Sequence, residues 1–323
     1  MGSTTTRELR WDTPGSPTLS AVAGAFKNII RDFLEDCGWT VVFNDDANHK
    51  VVLQNNPLFG GSGACIRIVD NGSFSGGNRV ASWEVFESVS DIDTGIGPAG
   101  SGFVWKDWTN TPAAGAYTLH ADERTIYGTT YVGSTNPVLG SSNRACTFVG
   151  GDYEPFIPGD PGIIGAAMTA ENPGTATNSQ VISGLVIVGA PETTSAGVTR
   201  DFALNGVLTR VKIMTIGATL AGSYMAGGTG AVPWNATYLP GIAMYPAFLH
   251  DGGTIRGKLR GIMIPIHYCR LVSGVGSVHT STLSRATTSL AALRGSNYNG
   301  AAATNDSTVG TIFVERNLSW DDM

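Results

Sequence analysis

The sequence predicts a mainly β, α+β fold: one helix, then many short strands, with an extended arm at each end. Three observations carry this. One stretch repeats its apolar residues at helical spacing, whereas many short runs alternate apolar and polar. Glycine is abundant, 43 of 323 residues, without a fixed period, which suits a turn-rich β protein and excludes collagen-like and simple repeat architectures. Charged residues make up 14% of the chain, against about a quarter in an ordinary soluble domain. Part of the surface is therefore expected to be covered by neighbouring subunits.

Residues 1–16 are polar and leave through Pro14-Gly15 and Pro17, so they read as an arm. Val22, Phe26, Ile29, Ile30, Phe33 and Leu34 then share one face of a helix over about residues 18–37. Thr18 or Ser20 can cap its start, and Gly38 stands where a left-handed C-terminal residue is wanted. Residues 39–43 and 50–53, joined by Asn44-Asp45-Asp46-Ala47-Asn48, read as a hairpin. The alternating runs 64–69 and 79–88 extend it to an antiparallel sheet with the helix packed across one face. Residues 17–150 form this α+β domain, with further strands at 102–105, 117–120, 125–127 and 146–149.

Four prolines mark 151–180 as a loop or linker. Residues 181–294 read as a β-rich domain or a continuation of the first, with strands at 181–188, 208–216 and 255–266. Pro233, Pro240 and Pro246 confine the segment between them to loops or edge strands. Residues 295–323 form a C-terminal arm, polar at first and then a strand at 311–315 with no hairpin partner beside it. Such a strand is suited to another chain's sheet or to closing its own.

The net charge is -6 and the pI about 5.3. Nucleic-acid binding needs a basic stripe, and the nearest is Thr254-Ile255-Arg256-Gly257-Lys258-Leu259-Arg260. Alternation puts Arg256, Lys258 and Arg260 on one side of a strand, read as a solvated or subunit-facing side, so no direct nucleic-acid contact is expected. Apolar runs are short and broken by Gly or Pro, and no membrane contact is expected. Met1-Gly2-Ser3-Thr4-Thr5-Thr6 lacks a signal-peptide start, so synthesis and retention in the cytoplasm are expected. Cys37, Cys65, Cys146 and Cys269 are scattered and read as buried, reduced hydrophobes.

No chemical motif survives inspection. Asp91-Ile92-Asp93-Thr94-Gly95 opens like a calcium loop, but its twelfth position is Gly102, so it reads as a turn whose carboxylates accept backbone N–H groups. In Asp122-Glu123-Arg124, placed in a strand, Asp122 and Arg124 share a side and read as a cross-strand or intersubunit ion pair. Gly60-Gly61-Ser62-Gly63-Ala64 lacks the last glycine of a nucleophile elbow. His49, His120, His250, His267 and His279 have no partner motif, and no phosphate loop or dinucleotide fingerprint occurs. Neither metal nor cofactor is expected.

Four places resemble tailed-bacteriophage virion structural proteins. They are residues 13–19 leading to Cys37-Gly38-Trp39, residues 83–97, residues 121–127 running to Phe148-Val149-Gly150-Gly151-Asp152, and residues 255–262 running to Pro265-Ile266-His267. The resemblance spans about four-fifths of the chain and carries over no functional residue. It implies a non-enzymatic part of the particle of head-decoration, neck or tail accessory type. The acidic balance argues against the DNA-filled interior, which leaves the capsid exterior or neck. The alternatives are a tail tube or tail-tip/baseplate component, and a virion-associated carbohydrate hydrolase using Asp91, Asp93 or Asp122. Expected partners are copies of the chain itself and other virion proteins, such as major capsid or tail proteins. The arms carry the candidate interaction residues: Leu9 and Trp11 at one end, Ile312, Phe313, Val314 and Trp320 at the other. Burying each would contribute roughly 1.5–3 kcal/mol, and the C-terminal strand is expected to be lent to a neighbouring subunit.

Overall fold

The structure is a computed structural model. It describes residues 6–72, 74–75, 78–108, 115–132, 144–169, 199–204, 207–214, 244–250, 255–265, 278–281, 288–294, 311–316 and 319–320. The chain opens on strand β1 (Arg7–Arg10), followed by the one α-helix among the described residues, α1 (Ala25–Asp36). Strands β2 (Thr40–Asp45), β3 (Lys50–Gln54), β4 (Cys65–Val69), β5 (Phe74–Ser75), β6 (Asn78–Val89) and β7 (Gly95–Trp108) form one antiparallel sheet. Its order is β2-β3-β4-β6, with β5 and β7 also paired to β6.

Next come β8 (Ala116–Ala121), β9 (Thr125–Val132), β10 (Arg144–Asp152), β11 (Glu154–Pro155) and β12 (Ile163–Thr169). The second sheet has the order β1-β8-β9-β10-β12. The remaining strands are β13 (Thr199–Leu204), β14 (Val207–Met214), β15 (Met244–His250), β16 (Ile255–Pro265), β17 (Val278–Ser281), β18 (Thr288–Arg294) and β19 (Thr311–Glu315). They make the third sheet in the order β13-β14-β15-β16-β19-β18-β17, with β11 added to β16. Among the described residues the protein is mainly β with one helix, which is the coarse class the sequence predicts.

The helix is shorter than its periodicity. Gly24 takes a left-handed φ of 83° and ends the preceding turns, so neither Thr18 nor Ser20 caps it. The cap comes instead from Asp70, whose Oδ2 accepts from Phe26 N at 2.9 Å and Lys27 N at 3.2 Å. Val22, expected on the buried face, lies before the helix and is 67% exposed. The rest of that face is buried, and Phe26 packs 5.6 Å from Phe148 and 6.5 Å from Trp83. Burial raises the Asp70 carboxyl above its ordinary pKa, opposed by Lys106, which is buried against it in an ion pair.

Glycines also set sheet spacing. A Cβ on Gly100 would overlap the carbonyl of Gly165, so β7 and β12 approach backbone to backbone only because both positions lack side chains. Residues 163–169, expected within a linker, are thus strand β12, in register with β10 from Asp152↔Ile163 to Cys146↔Thr169. The expected strand 181–188 and polar tail 295–307 lie outside the described residues. Pro246 sits inside the interior strand β15, where a register shift between Pro246 and Phe248 accommodates it.

Both arms are corrected by their pairing. Strand β1 runs along β8 from Arg7↔Ala121 to Arg10↔Thr118, and Leu9 and Trp11 pack, partly buried, against the chain's own core. Strand β19 lies between β16 and β18, with Ile262↔Val314, Met263↔Phe313 and Leu293↔Ile312 in register. Within the chain its own sheet supplies hydrogen-bonding neighbours on both sides of this strand. Val314 and Trp320 are fully buried within the chain; the side chains of Ile312 and Phe313 lie outside the description. The Trp320 ring stands 5.4 Å from Tyr127 and lies over Gly261, whose φ is 68°.

Trp320→Ala should therefore lower stability by about 3–5 kcal/mol through cavity formation. Denaturant melts should give the same loss at low and high protein concentration. A loss that appears only where the protein is oligomeric would place Trp320 in an interface instead.

Candidate functional site

Buried charge is concentrated where the three sheets meet. At the turn between β8 and β9, Asp122 Oδ1 accepts from Arg124 N at 2.9 Å and Thr125 N at 2.8 Å. Its other oxygen lies 2.8 Å from Arg260 Nη2 on β16, with both side chains essentially excluded from solvent. Arg260 Nη1 also donates to Thr125 Oγ1 at 3.1 Å, while the Tyr127 hydroxyl donates to Arg260 O at 2.8 Å. Trp39, just past α1, donates from Nε1 to Asp122 O at 2.8 Å.

A second cluster adjoins this turn. Asp152 Oδ1 accepts from Asn55 Nδ2 at 2.7 Å and Ser62 Oγ at 2.6 Å. Its Oδ2 accepts from Ser62 N at 3.0 Å and Arg124 Nε at 3.2 Å. Burial raises the Asp152 carboxyl above the usual range, against the lowering effect of Ser62 and Arg124. Ser62, the residue of the refused nucleophile elbow, thus spends its hydroxyl holding a loop. That loop contains a short 3-10 turn (Pro57–Phe59), capped by Asn56, and carries Leu58 at 91% exposure.

The third cluster completes a pattern. Arg256 reaches Asp160 Oδ2 through Nε at 3.0 Å and Nη2 at 2.6 Å, and Lys258 Nζ lies 2.8 Å from Glu154. Arg256, Lys258 and Arg260 do alternate along β16, but they are not a solvated or subunit-facing stripe. Arg256 and Arg260 are buried, and each of the three cations meets an acid: Asp160 before β12, Glu154 on the neighbouring β11, and Asp122 at the β8–β9 turn. In a chain this poor in charge, a run of cations beside Leu259 and Ile262 is a signal for internal pairing.

The other predicted residues fall elsewhere. Asp122-Glu123-Arg124 forms a turn and not a strand, and the Asp122 partner is Arg260, with Arg124 turned to Asp152. Asp91 Oδ1 accepts from Asp93 N at 2.7 Å, the turn role expected, whereas Asp93 pairs with Lys50. Lys50 starts β3, and Asn56, just past its end, donates from N to Glu123 O at 3.0 Å. A five-residue strand spans about 16 Å, so Asp93 and Asp122 are farther apart than the roughly 5–10 Å of paired glycosidase carboxylates. Leu9, Trp11, Val314 and Trp320 belong to the core or its margin. Cys37, Cys65 and Cys146 are buried and in no disulfide, and burial pushes the Cys65 thiol up to about 11. Cys269 and His267 lie outside the described residues.

Among the described residues, no group of three His, Cys, Asp or Glu is placed to hold a metal ion. No protein-family model matches the chain, and no curated protein matches it. The arrangement is a set of braces. Its acceptors are taken up by backbone N–H groups, the Asn55 amide, the Ser62 hydroxyl and cations, and the carboxylate beside Ser62 is Asp152, which Asn55 and Arg124 hold as well. Asn55, Ser62, Thr125 and Asp152 escaped sequence reading because their partners are distant, with Asn55 and Asp152 separated by 97 residues.

Asp152→Ala strands Asn55, Ser62 and Arg124 together and should cost about 3 kcal/mol in urea unfolding. Ser62→Ala, which keeps its backbone N–H bond, should cost only about 1 kcal/mol. Equal effects would contradict the geometry described.

Proposed function

We propose that the protein is a non-enzymatic structural component of a tailed-phage virion, decorating or stabilising the capsid exterior or the neck as a multimer. The observation that supports this best is how its charged groups are used: Asp122, Asp152 and Asp160 are each consumed by an internal ion pair. Meanwhile large apolar side chains stay outside, among them Leu58 at 91%, Ile96 at 53% and Phe156 at 50% exposure. A rigid body with spent polar groups and uncovered apolar ones suits repeated contacts between subunits. On this reading the helix packed on its antiparallel sheet, the further β-rich region and the docked terminal strands form one building block. Its partners are other copies and neighbouring virion proteins such as major capsid or tail proteins, with no cofactor and no contact to DNA or membrane.

Purified particles carrying this chain, labelled with an antibody against it and imaged by electron cryomicroscopy, test the proposal. Symmetric labelling of the head shell or neck is the expected outcome. Label confined to the tail would overturn the placement in favour of a tail tube or baseplate role. Absence from washed particles would overturn the virion role itself.

A further inference from the structure

His120 is the one fully buried imidazole among the described residues, and neither ring nitrogen has a hydrogen-bond partner. It stands on β8 opposite Glu8 of β1, with Glu8 Oε2 4.0 Å from Nδ1. That carboxylate is already held by Arg316, which follows β19, so one ion pair ties the N-terminal strand to the C-terminal segment. Arg10 of β1 adds a second nearby cation. On the far side His120 is in register with Tyr127 of β9, behind which Arg260 and Asp122 neutralise each other.

An imidazolium here would place two N–H donors where one carboxylate is available and already engaged, beside two guanidinium groups. Hydrating it requires something to move. The smallest movable piece is β1: four residues, at the edge of its sheet among the described strands, with a turn containing Gly15 at φ 86° behind it. The opposite edge of β8 is paired with β9 along its whole length and is far harder to open.

We propose that β1 is a releasable latch, and that protonation of His120 opens it by breaking the Glu8–Arg316 tie between the two ends of the chain. The device holds whether or not the protein is a virion component. Burial first, then Arg316 and Arg10, hold the closed-state imidazole down to about 3, whereas a solvated histidine titrates near 6.5. A depressed value means that the closed form is fully favoured above about pH 6.5 and loses ground as pH falls towards 3. Between pH 8 and pH 5 the opening equilibrium should rise about 30-fold, close to tenfold for each unit below 6.5. Asp12, held below the ordinary carboxylate range chiefly by its bond to Arg10, changes charge below that window.

Hydrogen exchange on the full chain, corrected for intrinsic rates and referenced to the buried strand β3, reads the latch in peptides covering residues 6–12 and 116–121. Wild type should lose about 30-fold protection from pH 8 to pH 5 there, while His120→Gln should show no such slope. Glu8→Gln should raise opening by the same factor at both pH values and keep the slope. A slope that survives in His120→Gln, or wild-type exchange indifferent to pH, overturns the proposal. Should His120→Gln fail to fold, NMR titration of the wild-type ring decides. A midpoint near 6.5 with β1 amides still protected overturns it, whereas a lower midpoint accompanied by loss of that protection supports it.

Discussion

The contact between Arg260 and Asp122 joins elements that lie far apart in sequence, at the buried centre of the molecule. One carboxylate closes the β8–β9 turn through two backbone N–H groups and receives a guanidinium from 138 residues away. Taking two such ions out of water costs several kcal/mol each. That cost is offset only when the remaining donors and acceptors are also matched, which Thr125 and the Arg124 N–H do, while Tyr127 and Trp39 bond the backbone carbonyls of the same two residues. The same residues therefore fix the end of α1, the second sheet and β16 in one arrangement.

Burial of charge explains the rest of the architecture better than the hydrophobic core alone. The core is large and continuous, running from Leu19 through Trp83 and Phe148 to Trp320. Apolar contact is non-directional, however, and would tolerate β16 sliding along its neighbours. Three cations at alternate positions on β16, each met by an acid, define a single register. The glycines act alongside: Gly100 and Gly165 let two strands touch, and Gly261 makes room for the Trp320 indole.

Much of this was legible in the chain. The apolar face from Phe26 to Leu34, the hairpin around residues 44–49, and the strand at 311–315 follow from local period and turn chemistry. What stayed hidden depends on partners remote in sequence. The N-cap of α1 belongs to Asp70, 44 residues beyond Phe26, so the true start at Ala25 could not be read from Thr18 or Ser20. Alternation placed Arg256, Lys258 and Arg260 on one side but could not say whether that side faced water, because the answer lies in Asp160, Glu154 and Asp122. A strand without a sequential hairpin partner was equally ambiguous until β16 and β18 were seen on either side of it.

The most direct test of this account is a double-mutant cycle on the central pair. Asp122→Asn, Arg260→Met and the double variant would be unfolded in urea under identical conditions. Each single change should cost about 3–5 kcal/mol because it strands a buried charge. The double change should cost clearly less than the sum, giving a coupling of about 2–3 kcal/mol. Single losses that add to within about 0.5 kcal/mol would contradict the claim that this ion pair holds the second sheet and β16 in one arrangement.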